Sequence, residues 1–443
     1  MTVLQNILNN FKISTLNPMQ EAAMEAYQQN ADLQLISPTG SGKTLAYLLP
    51  LFLKLTAEHP DNHTQKMLAM IIVPTRELAL QIEQVFKQMG SQYKINCCYG
   101  GHSVRIEKNN LSELPAVLVG TPGRIAYHIR NENMQVKTCK YLVLDEFDKS
   151  LEAGFQDEME YILKQMPKLE KKVLCSATAI AKIPDFVRLT SPITLNYTQG
   201  IQQPISGMKL KQVRVLGDDK LEALMLLIGL LKDKSAIVFC NHRDAVNRIS
   251  EQLSKHKVIH GFYHGGLEQI DREKTLIKLR NKTIQLLIST DLASRGLDIP
   301  EIDVVIHYQL PLKEDAMVHR NGRTARMEAE GEVYFLLDEN DHLPDFLESK
   351  PKEIQLPETF ELPTPPQWKT LFIKAGKKDK INKMDIVGML LQKAKLNKEE
   401  LGKIEVLDHS AYAAIKANKF KQVLQLVQTE KLKGRKIRME EAS

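Results

Sequence analysis

The sequence contains no run of 18 or more apolar residues, and its longest apolar stretches have the length of single strands. This absence argues against a membrane-spanning helix. Residues 1–10 lack the basic start and apolar segment of a secretory signal, so we expect a cytoplasmic protein. With 443 residues, of which 43% are hydrophobic and 26% charged, the chain has the composition of a soluble protein of two or three domains.

Cysteine is scarce, and no two cysteines have the C-x-x-C spacing of a redox pair or a zinc site. The five are Cys97, Cys98, Cys139, Cys175 and Cys240. Three of them end or follow strand-like runs. We therefore expect reduced thiols in the core of a cytosolic protein.

Most of the chain has no excess of positive charge. Residues 1–367 contain 42 lysines and arginines against 45 aspartates and glutamates, whereas residues 368–443 contain 18 against 9. The overall net charge of +6 therefore comes from a tail of net charge +9. A basic tail on a near-neutral body indicates a polyanion partner, and a solubilising or disordered tail is the alternative.

Short β-rich runs alternate with amphipathic stretches in two successive sets. The runs are 33–37, 67–73, 116–119, 141–144 and 172–175, and then 236–240, 257–263, 285–289, 303–307 and 332–336. Such alternation predicts two parallel sheets covered by helices on both faces, over residues 1–204 and 205–340. The polar segment 197–208 is the expected connection between the two domains.

A segment with six prolines, 341–367, is the expected linker to a third domain. The runs that follow it are strands at 369–373, 401–407, 410–415 and 436–440 and helices at 384–393 and 420–427. Their order is βαββαβ, which predicts a small α+β, RRM-like domain over residues 368–443. The aromatic motif by which many such domains bind RNA is absent, and Phe372 and Tyr412 are more typical of core positions than of a base-stacking platform.

A glycine-bearing turn follows the first predicted strand directly. Its residues are Pro38, Thr39, Gly40, Ser41, Gly42, Lys43 and Thr44. A strand, a turn and a helix start aim N–H groups at one point, which predicts a phosphate-binding loop. The Lys43 ammonium suits the terminal phosphates of ATP, and the Thr44 hydroxyl suits Mg²⁺. Ser37 stands where the general pattern has glycine.

An acidic group follows the predicted strand 141–144, as an ATPase with this loop requires. We expect Asp145 to hold Mg²⁺ through its water and Glu146 to orient and deprotonate the attacking water. An acidic strand end that only faces solvent is the alternative interpretation.

With these residues in place, the chain resembles the DEAD-box RNA helicases from near its start to about residue 340. The resemblance implies two RecA-like domains, with Gln20 reading the adenine edge of ATP. It also implies that the turn containing Ser176 and Thr178 couples hydrolysis to strand separation and bonds to Asp148. The RNA contacts implied for the first domain are Pro74, Thr75, Arg76, Gly101, Thr121, Gly123 and Arg124.

The resemblance extends to the second domain. It implies RNA contacts at Gly265 and Thr290, a ribose contact at Asp298 and a coupling role for His319. Arg323 and Arg326 correspond to two arginine fingers, planar cations that stabilise charge on the transferring γ-phosphoryl group.

Three residues depart from the family pattern. Phe147 stands in place of alanine in the acidic motif, and Asn321 and Ala325 replace the usual isoleucine and glycine. None of these changes removes a charge or a metal ligand, so we expect ATP hydrolysis to persist. Our hypothesis is that Phe147 is a local packing variant.

The tail segments 376–380, 385–388, 402–406 and 432–438 are similar to the tail domain of DbpA-type DEAD-box proteins. This similarity implies binding of a hairpin of large-subunit ribosomal RNA during ribosome assembly. The basic residues expected to make salt-dependent contacts are Lys374, Lys377, Lys378, Lys380, Lys431, Lys433, Arg435, Lys436 and Arg438.

These features together predict a monomeric, ATP- and Mg²⁺-dependent RNA helicase that locally unwinds RNA duplexes. One alternative is an RNA clamp or annealing scaffold that separates no strands; intact Lys43, Glu146 and Arg323 weigh against it. Another alternative is a DNA helicase of the same architecture, against which Gln20 and the acidic motif favour RNA.

Overall fold

The computed structural model describes residues 3–38, 40–59, 66–101, 104–180, 182–198, 208–215, 219–294, 299–324, 331–347, 349–428 and 430–442. Within these ranges, no helix is both long enough and apolar enough to cross a membrane. Two large parallel sheets and one small antiparallel sheet organise the chain, and they correspond to two RecA-like domains and a small tail domain.

The described part of the first domain contains a parallel sheet of seven strands. The strands are β1 (Leu33–Ile36), β2 (Ala69–Ile72), β3 (Ile95–Cys98), β4 (Val117–Gly120), β5 (Tyr141–Leu144), β6 (Lys171–Ser176) and β7 (Ile193–Asn196). Their order across the sheet is β3-β4-β2-β5-β6-β1-β7. β2, β4 and β5 are buried at every residue, as is typical of strands covered on both faces.

Helices cover both faces of this sheet. They are α1 (Val3–Phe11), α2 (Pro18–Gln28), α3 (Lys43–Glu58), α4 (Arg76–Gln88), α5 (Val104–Leu111), α6 (Pro122–Arg130), α7 (Phe147–Glu152) and α8 (Gln156–Lys164). Alternate residues of β2 enter different cores: Ile71 packs in one cluster, and Met70 and Ile72 in the other. All five cysteines of the chain are free, and four of them are buried, as expected for reduced core thiols.

The second domain repeats this plan. Its described strands are β8 (Met208–Arg214), β9 (Ala236–Phe239), β10 (Gly261–Tyr263), β11 (Leu286–Ser289), β12 (Val304–His307), β13 (Gly331–Leu337) and β14 (Lys352–Glu353). They are parallel in the order β10-β11-β9-β12-β13-β8-β14. The helices are α9 (Lys220–Leu231), α10 (Arg243–Lys255), α11 (Gln269–Arg280) and α12 (Glu314–Asn321).

The tail domain has the expected βαββαβ order. Its elements are β15 (Trp368–Ile373), α13 (Lys383–Gly388), β16 (Leu401–Val406), β17 (Ala411–Lys416), α14 (Ala417–Gln428), the hairpin β18 (Lys431–Leu432) and β19 (Arg435–Lys436), and β20 (Met439–Glu441). The antiparallel order is β16-β17-β15-β20. α13 continues as one π-helical turn, Met389–Lys393, so the predicted helix 384–393 is one continuous feature.

The last strand differs from its expected position. The run 436–440 was expected to be one strand, but Lys436 pairs with Lys431 in the hairpin, whereas Ile373 of the sheet pairs with Met439. The basic residues alternate poorly with apolar ones there, and a left-handed Gly434, with φ of +77°, makes the hairpin turn instead.

The proline-rich segment 341–367 contacts the second domain along part of its length. β14 pairs with β8 through Lys352 and Lys211, and Ile354, Leu356 and Phe360 pack against the core of that domain. Of the segment 197–208, residues 199–207 lie outside the described part of the chain, and Met208 begins β8.

One face of the tail sheet contacts α11 and the residues after it, within a single compact unit. Arg280 Nε and Nη2 donate to the two carboxylate oxygens of Glu405, over 2.8 and 2.7 Å. The hydroxyls of Thr283 and Thr370 lie 2.5 Å apart. Tyr412 is buried in a cluster with Ile277 of α11, so this aromatic residue lies in a contact between domains and not in the tail's own core.

Candidate ATP site and RNA-contact motifs

The ends of three neighbouring strands bring the predicted ATP-site motifs together. β5, β6 and β1 are adjacent and parallel, so all three end at one edge of the first sheet. The phosphate loop follows β1, Asp145 follows β5 and Ser176 ends β6. Ser37 N donates to Ser176 O over 3.1 Å, which joins two of these ends directly. The carboxyl edge of a parallel sheet is the usual place for a ligand site.

The phosphate loop, residues 37–44, has the backbone conformation that its glycines predict. Gly40 and Gly42 have φ angles of +86° and +91°, which glycine adopts without steric strain. A Cβ at position 42 would also lie 2.7 Å from Gln20 Nε2. α3 begins at Lys43, so the N–H groups of a helix start lie next to the loop, as phosphate binding requires.

Side chains of the loop bond to its own backbone. Ser37 Oγ donates to Ser41 Oγ over 2.7 Å, and Ser41 Oγ donates to Pro38 O over 2.8 Å. Lys43 Nζ donates to Pro38 O over 2.8 Å and also to Ser37 O. An ammonium has three donors, so Lys43 retains one for a phosphate oxygen. Thr39, which the sequence also assigns to this loop, lies outside the described residues.

Gln20 joins α2 to the phosphate loop. Its Oε1 accepts from Asn17 N over 3.1 Å, and its N donates to Asn17 Oδ1 over 2.9 Å, which forms a capping box at the start of α2. Gln20 Nε2 donates to Gly42 O over 3.3 Å. An amide oxygen accepts two bonds and an NH₂ group donates two. The side chain therefore keeps one acceptor and one donor position for the adenine edge that the sequence predicts as its partner.

Asp145 and Lys43 each oppose the pKa shift that burial causes in the other. Burial raises the pKa of the Asp145 carboxyl, and the Lys43 ammonium opposes the shift. Burial lowers the pKa of Lys43, while Asp145 and Glu146 act in the other direction. The carboxylate is also held by two hydrogen bonds, from Tyr47 Oη to Oδ2 and from Glu146 N to Oδ1, each over 2.9 Å.

The two residues after Asp145 have different surroundings. Glu146 has a φ of +47°, a left-handed conformation that costs a non-glycine residue on the order of 1–3 kcal/mol. Phe147 is fully buried in the hydrophobic core, with its ring 6.4 Å from that of Phe186. This core position supports the hypothesis that Phe147 is a packing variant.

The acidic motif contacts the turn that follows β6, as the resemblance implies. Thr178 Oγ1 donates to Asp148 Oδ2 over 3.3 Å, and Ser176 Oγ donates to Thr178 O over 2.8 Å. Burial raises the pKa of Asp148, and Lys149 opposes this shift. The two motifs therefore form one hydrogen-bonded unit beside the phosphate loop.

The side chains at these strand ends fit Mg²⁺. The hydroxyl of Thr44 and the carboxylates of Asp145 and Asp148 offer oxygen, the donor that this ion prefers. Asp148 Oδ1 is buried and has no hydrogen-bond partner among the described residues. A buried carboxylate oxygen in this state suits a cation or a water of its hydration shell.

Two motifs of the first domain that are predicted to contact RNA touch each other. A Cβ at Gly101, where φ is +91°, would lie 2.2 Å from Arg76 Nη1, so this glycine makes room for the guanidinium. Thr75, which follows Pro74, caps α4 by accepting from Leu78 N over 3.3 Å. The Thr75 hydroxyl therefore keeps its proton for a phosphate or sugar oxygen.

Glu107, a residue that no motif predicts, connects the end of β3 to α6. Its Oε1 accepts from Tyr99 N over 3.1 Å, and its Oε2 lies 3.1 Å from Arg124 Nε and 2.8 Å from His128 Nε2. Asn133 Nδ2 donates to His128 Nδ1 over 3.1 Å. A neutral His128 therefore has its proton on Nε2 and donates it to Glu107.

The same carboxylate has metal-ligand spacing with His128 and Cys98. Both oxygens of Glu107 already accept hydrogen bonds, and Arg124 supplies the positive charge that a metal ion would bring. Glu107 is therefore occupied by these partners, and its role is to orient Arg124. The rest of this RNA-contact motif lies alongside: Thr121 N donates to Cys98 O over 3.0 Å. A Cβ at Gly123 would meet nothing within 4 Å, which leaves the backbone open to a ligand.

In the second domain, one buried arginine joins three motifs. Arg320 Nε donates to Asp291 Oδ1 over 2.5 Å, and its Nη2 donates to Asn241 Oδ1 over 2.7 Å. Its Nη1 donates to Gln309 O over 2.7 Å. The strand ends after β9, β11 and β12 are thus tied to α12, although the sequence motif assigns Arg320 no role of its own.

The predicted RNA contacts of the second domain follow neighbouring strands. Thr290 comes directly after β11, and its N donates to Tyr263 O, at the end of β10, over 3.3 Å. Gly265 lies two residues beyond β10, and a Cβ there would meet nothing within 4 Å. Both residues therefore lie at one edge of the sheet, where the Thr290 hydroxyl and the open backbone at Gly265 suit the predicted contact with an RNA phosphate.

The motif predicted to supply the coupling histidine and the arginine fingers lies on and after α12. His319 and Arg323 are both buried, with 2% and 1% of their surfaces exposed. The Arg323 carbonyl accepts a hydrogen bond from Ile302 N over 3.2 Å, which fixes its backbone. Arg326, the predicted second finger, and Asp298, the predicted ribose contact, lie outside the described residues.

Comparison with known proteins agrees with this arrangement. The chain matches the families described as DEAD/DEAH box helicase over residues 17–186, Helicase conserved C-terminal domain over 219–328 and DbpA RNA binding domain over 370–441. It is 32% identical to the DEAD-box ATP-dependent RNA helicase RhpA of Helicobacter pylori, across 79% of this chain and 70% of that protein. The chain belongs to the DEAD-box ATP-dependent RNA helicases: it hydrolyses ATP and acts on RNA.

Within this family, the tail domain places this chain among the DbpA-type proteins. The chain is 29% identical to the ATP-dependent RNA helicase DbpA of Escherichia coli, across 98% of this chain and 95% of that protein. Among solved structures, Saccharomyces cerevisiae Dbp5 bound to RNA and ADP BeF3 is similar, with a TM-score of 0.67 and 26% identity. That match covers 76% of this chain and 88% of the Dbp5 chain.

Proposed function

We propose that this helicase is directed by its tail to a hairpin of large-subunit ribosomal RNA and separates short duplexes nearby during ribosome assembly. The observation that carries this proposal is the DbpA RNA binding domain over residues 370–441 in a tail of net charge +9. A relative named ATP-dependent rRNA helicase RRP3, from Ajellomyces capsulatus, is 32% identical across 73% of this chain. We infer a cytoplasmic monomer.

The surface by which the tail holds RNA follows from which residues are left exposed. The sheet face that carries Thr370 and Tyr412 contacts the second helicase domain, so this face is not open to bases. The hairpin residues Lys431, Arg435 and Lys436 are exposed. We propose that these cations contact the ribosomal RNA backbone, with strong dependence on salt.

Hydrolysis is proposed to use the site at the first sheet. Lys43 and the loop N–H groups hold the phosphates. Thr44, and Asp145 through its water, would hold Mg²⁺, which would neutralise negative charge on the phosphates. Glu146 accepts the proton of the attacking water. The second domain supplies Arg323 and Arg326 to the transferring phosphoryl group when ATP and RNA are both bound.

Strand displacement on two matched substrates tests the proposed target. One substrate joins a short duplex to a large-subunit ribosomal RNA fragment, and the other joins the same duplex to an unrelated hairpin of equal length. We expect faster ATP-dependent displacement from the ribosomal substrate, with the advantage lost at high salt because the tail contacts are ionic.

The alternative function, an RNA clamp or annealing scaffold, gives a different result. A clamp binds both substrates and hydrolyses ATP without releasing a strand from either. Equal displacement from both substrates would keep the helicase and reject the ribosomal target.

A further inference from the structure

The buried hydroxyl of Tyr47 bonds to Asp145, one of the two side chains predicted to hold Mg²⁺. Tyr47 is fully buried, and its hydroxyl donates to Asp145 Oδ2 over 2.9 Å. Thr44 and Tyr47 are three residues apart on α3 and therefore lie on one face of the helix.

The direction of this hydrogen bond follows from the donors available. A phenol has one proton, and Tyr47 donates it to the carboxylate, which only accepts. The Asp145 carboxylate is fixed from its other side by Glu146 N, 2.9 Å from Oδ1.

We propose that Tyr47 is a positioning residue for Mg²⁺, a role that rests on the proposed function of Thr44 and Asp145 as the residues that hold the ion. The Tyr47 hydroxyl and the Glu146 N–H together fix both oxygens of the Asp145 carboxylate, so this side chain is preorganised before metal and nucleotide bind. Loss of such an outer partner typically costs 10- to 100-fold in metal affinity or activity.

The test measures the effect of the metal on nucleotide binding by the full-length protein, so that it does not depend on activity. A fluorescent ATP analogue is titrated with excess Mg²⁺ and with a chelator, and the ratio of the two dissociation constants is the metal enhancement. The variant is Tyr47→Phe, which removes one oxygen atom. The matched control is Tyr93→Phe: Tyr93 is also buried, and its hydroxyl bonds to the carbonyls of Leu55 and His59.

We expect Tyr47→Phe to reduce the metal enhancement about tenfold while metal-free binding stays within twofold, and Tyr93→Phe to leave both unchanged. An unchanged enhancement in Tyr47→Phe would overturn the proposal. So would loss of metal-free binding, because Tyr47 would then have only a structural role. Asp145→Asn distinguishes a failure of this proposal from a failure of the proposed Mg²⁺ site. If that variant keeps the full enhancement, the assignment of Asp145 to the metal is wrong.

Discussion

The buried His307 and the half-buried Asn321 form a polar pair in the second domain. The histidine donates from Nε2 to Asn321 Oδ1 over 2.8 Å, and its ring stacks on Phe335 with 4.9 Å between centroids. Asn321 stands where the family usually has isoleucine, and His307 supplies the hydrogen-bond partner of its half-buried amide. The replacement of isoleucine by Asn321 therefore exchanges an apolar packing contact for a hydrogen bond within this domain.

The pair predicts a pH dependence of stability. Burial lowers the pKa of His307 to about 3, and Arg320 acts in the same direction. An unfolded histidine has a pKa of about 6.5, so between these values the unfolded state binds a proton that the folded state does not. Stability is therefore lost as the pH falls below about 6.5, by roughly 1.4 kcal/mol per unit.

Urea unfolding of the wild type and of His307→Gln, at pH 7.5 and pH 5, isolates this contribution. Other titrating groups cancel in the difference between the two proteins. The wild type should lose about 2 kcal/mol more than the variant between the two conditions. Parallel losses would show that His307 does not control the acid stability.

Phe147→Ala should destabilise the folded state and leave ATP hydrolysis nearly unchanged. The ring is fully buried beside Phe186 and carries no charge or metal-binding atom. Its removal leaves a cavity that typically costs about 3–5 kcal/mol. ATP hydrolysis per folded molecule should stay within a few-fold of the wild type. Steady-state hydrolysis alongside thermal unfolding measures both, and a folded variant without hydrolysis would reject the packing hypothesis.

Glu107→Gln should weaken RNA binding without affecting ATP binding in the absence of RNA. The carboxylate orients Arg124 through a contact of 3.1 Å, and an amide has no charge with which to hold the guanidinium. We expect the dissociation constant for single-stranded RNA to rise about tenfold, the equivalent of ~1.4 kcal/mol. Fluorescence anisotropy measures this constant.

The control for that experiment is Glu113→Gln, because Glu113 pairs with Lys94 on the surface and is 88% exposed. Exposed pairs contribute little. An equal loss of RNA affinity in both variants would mean that Glu107 has no specific role.

Glu405→Ala should uncouple the tail from the helicase domains. It removes both hydrogen bonds from Arg280 but changes none of the exposed cations of the hairpin. We expect unchanged affinity for a ribosomal RNA fragment and weaker stimulation of hydrolysis by that fragment. The pair of Lys393 and Glu430, which lies within the tail domain, provides the control, Glu430→Ala. If Glu405→Ala retains full stimulation, the contact does not couple the domains.

Runs of apolar residues in the sequence predicted the strands that are buried along their whole length. β5 is an apolar run between polar residues and was predicted to its last residue. β3 and β7 were missed because partly exposed, mixed strands have no such pattern. β8 was missed because the polar linker pattern extended over its first residue.

The candidate site divides in the same way. The phosphate loop and the acids after β5 are recognisable from short spacings. Tyr47, Glu107 and Arg320 are not, because their partners lie 98, 21 and 79 residues away in the sequence. Their roles depend on how strands are ordered in the sheets, and the sequence pattern does not state that order.

The central claim, an RNA-stimulated ATPase whose tail selects ribosomal RNA, is tested by steady-state hydrolysis without RNA, with generic RNA and with a large-subunit ribosomal RNA fragment. Each condition is repeated with a protein that lacks residues 368–443. Because that deletion uncovers Ile277 and Thr283, a full-length variant, Arg435→Glu with Lys436→Glu, repeats the test with the domain contact intact. Lys395→Glu with Lys398→Glu is the matched change at other exposed tail lysines.

We predict strong stimulation by the ribosomal fragment that is lost in the truncated protein and in the Arg435/Lys436 variant, while generic stimulation remains. Equal stimulation by any RNA would contradict the ribosomal target. The absence of hydrolysis under every condition would contradict the enzyme itself.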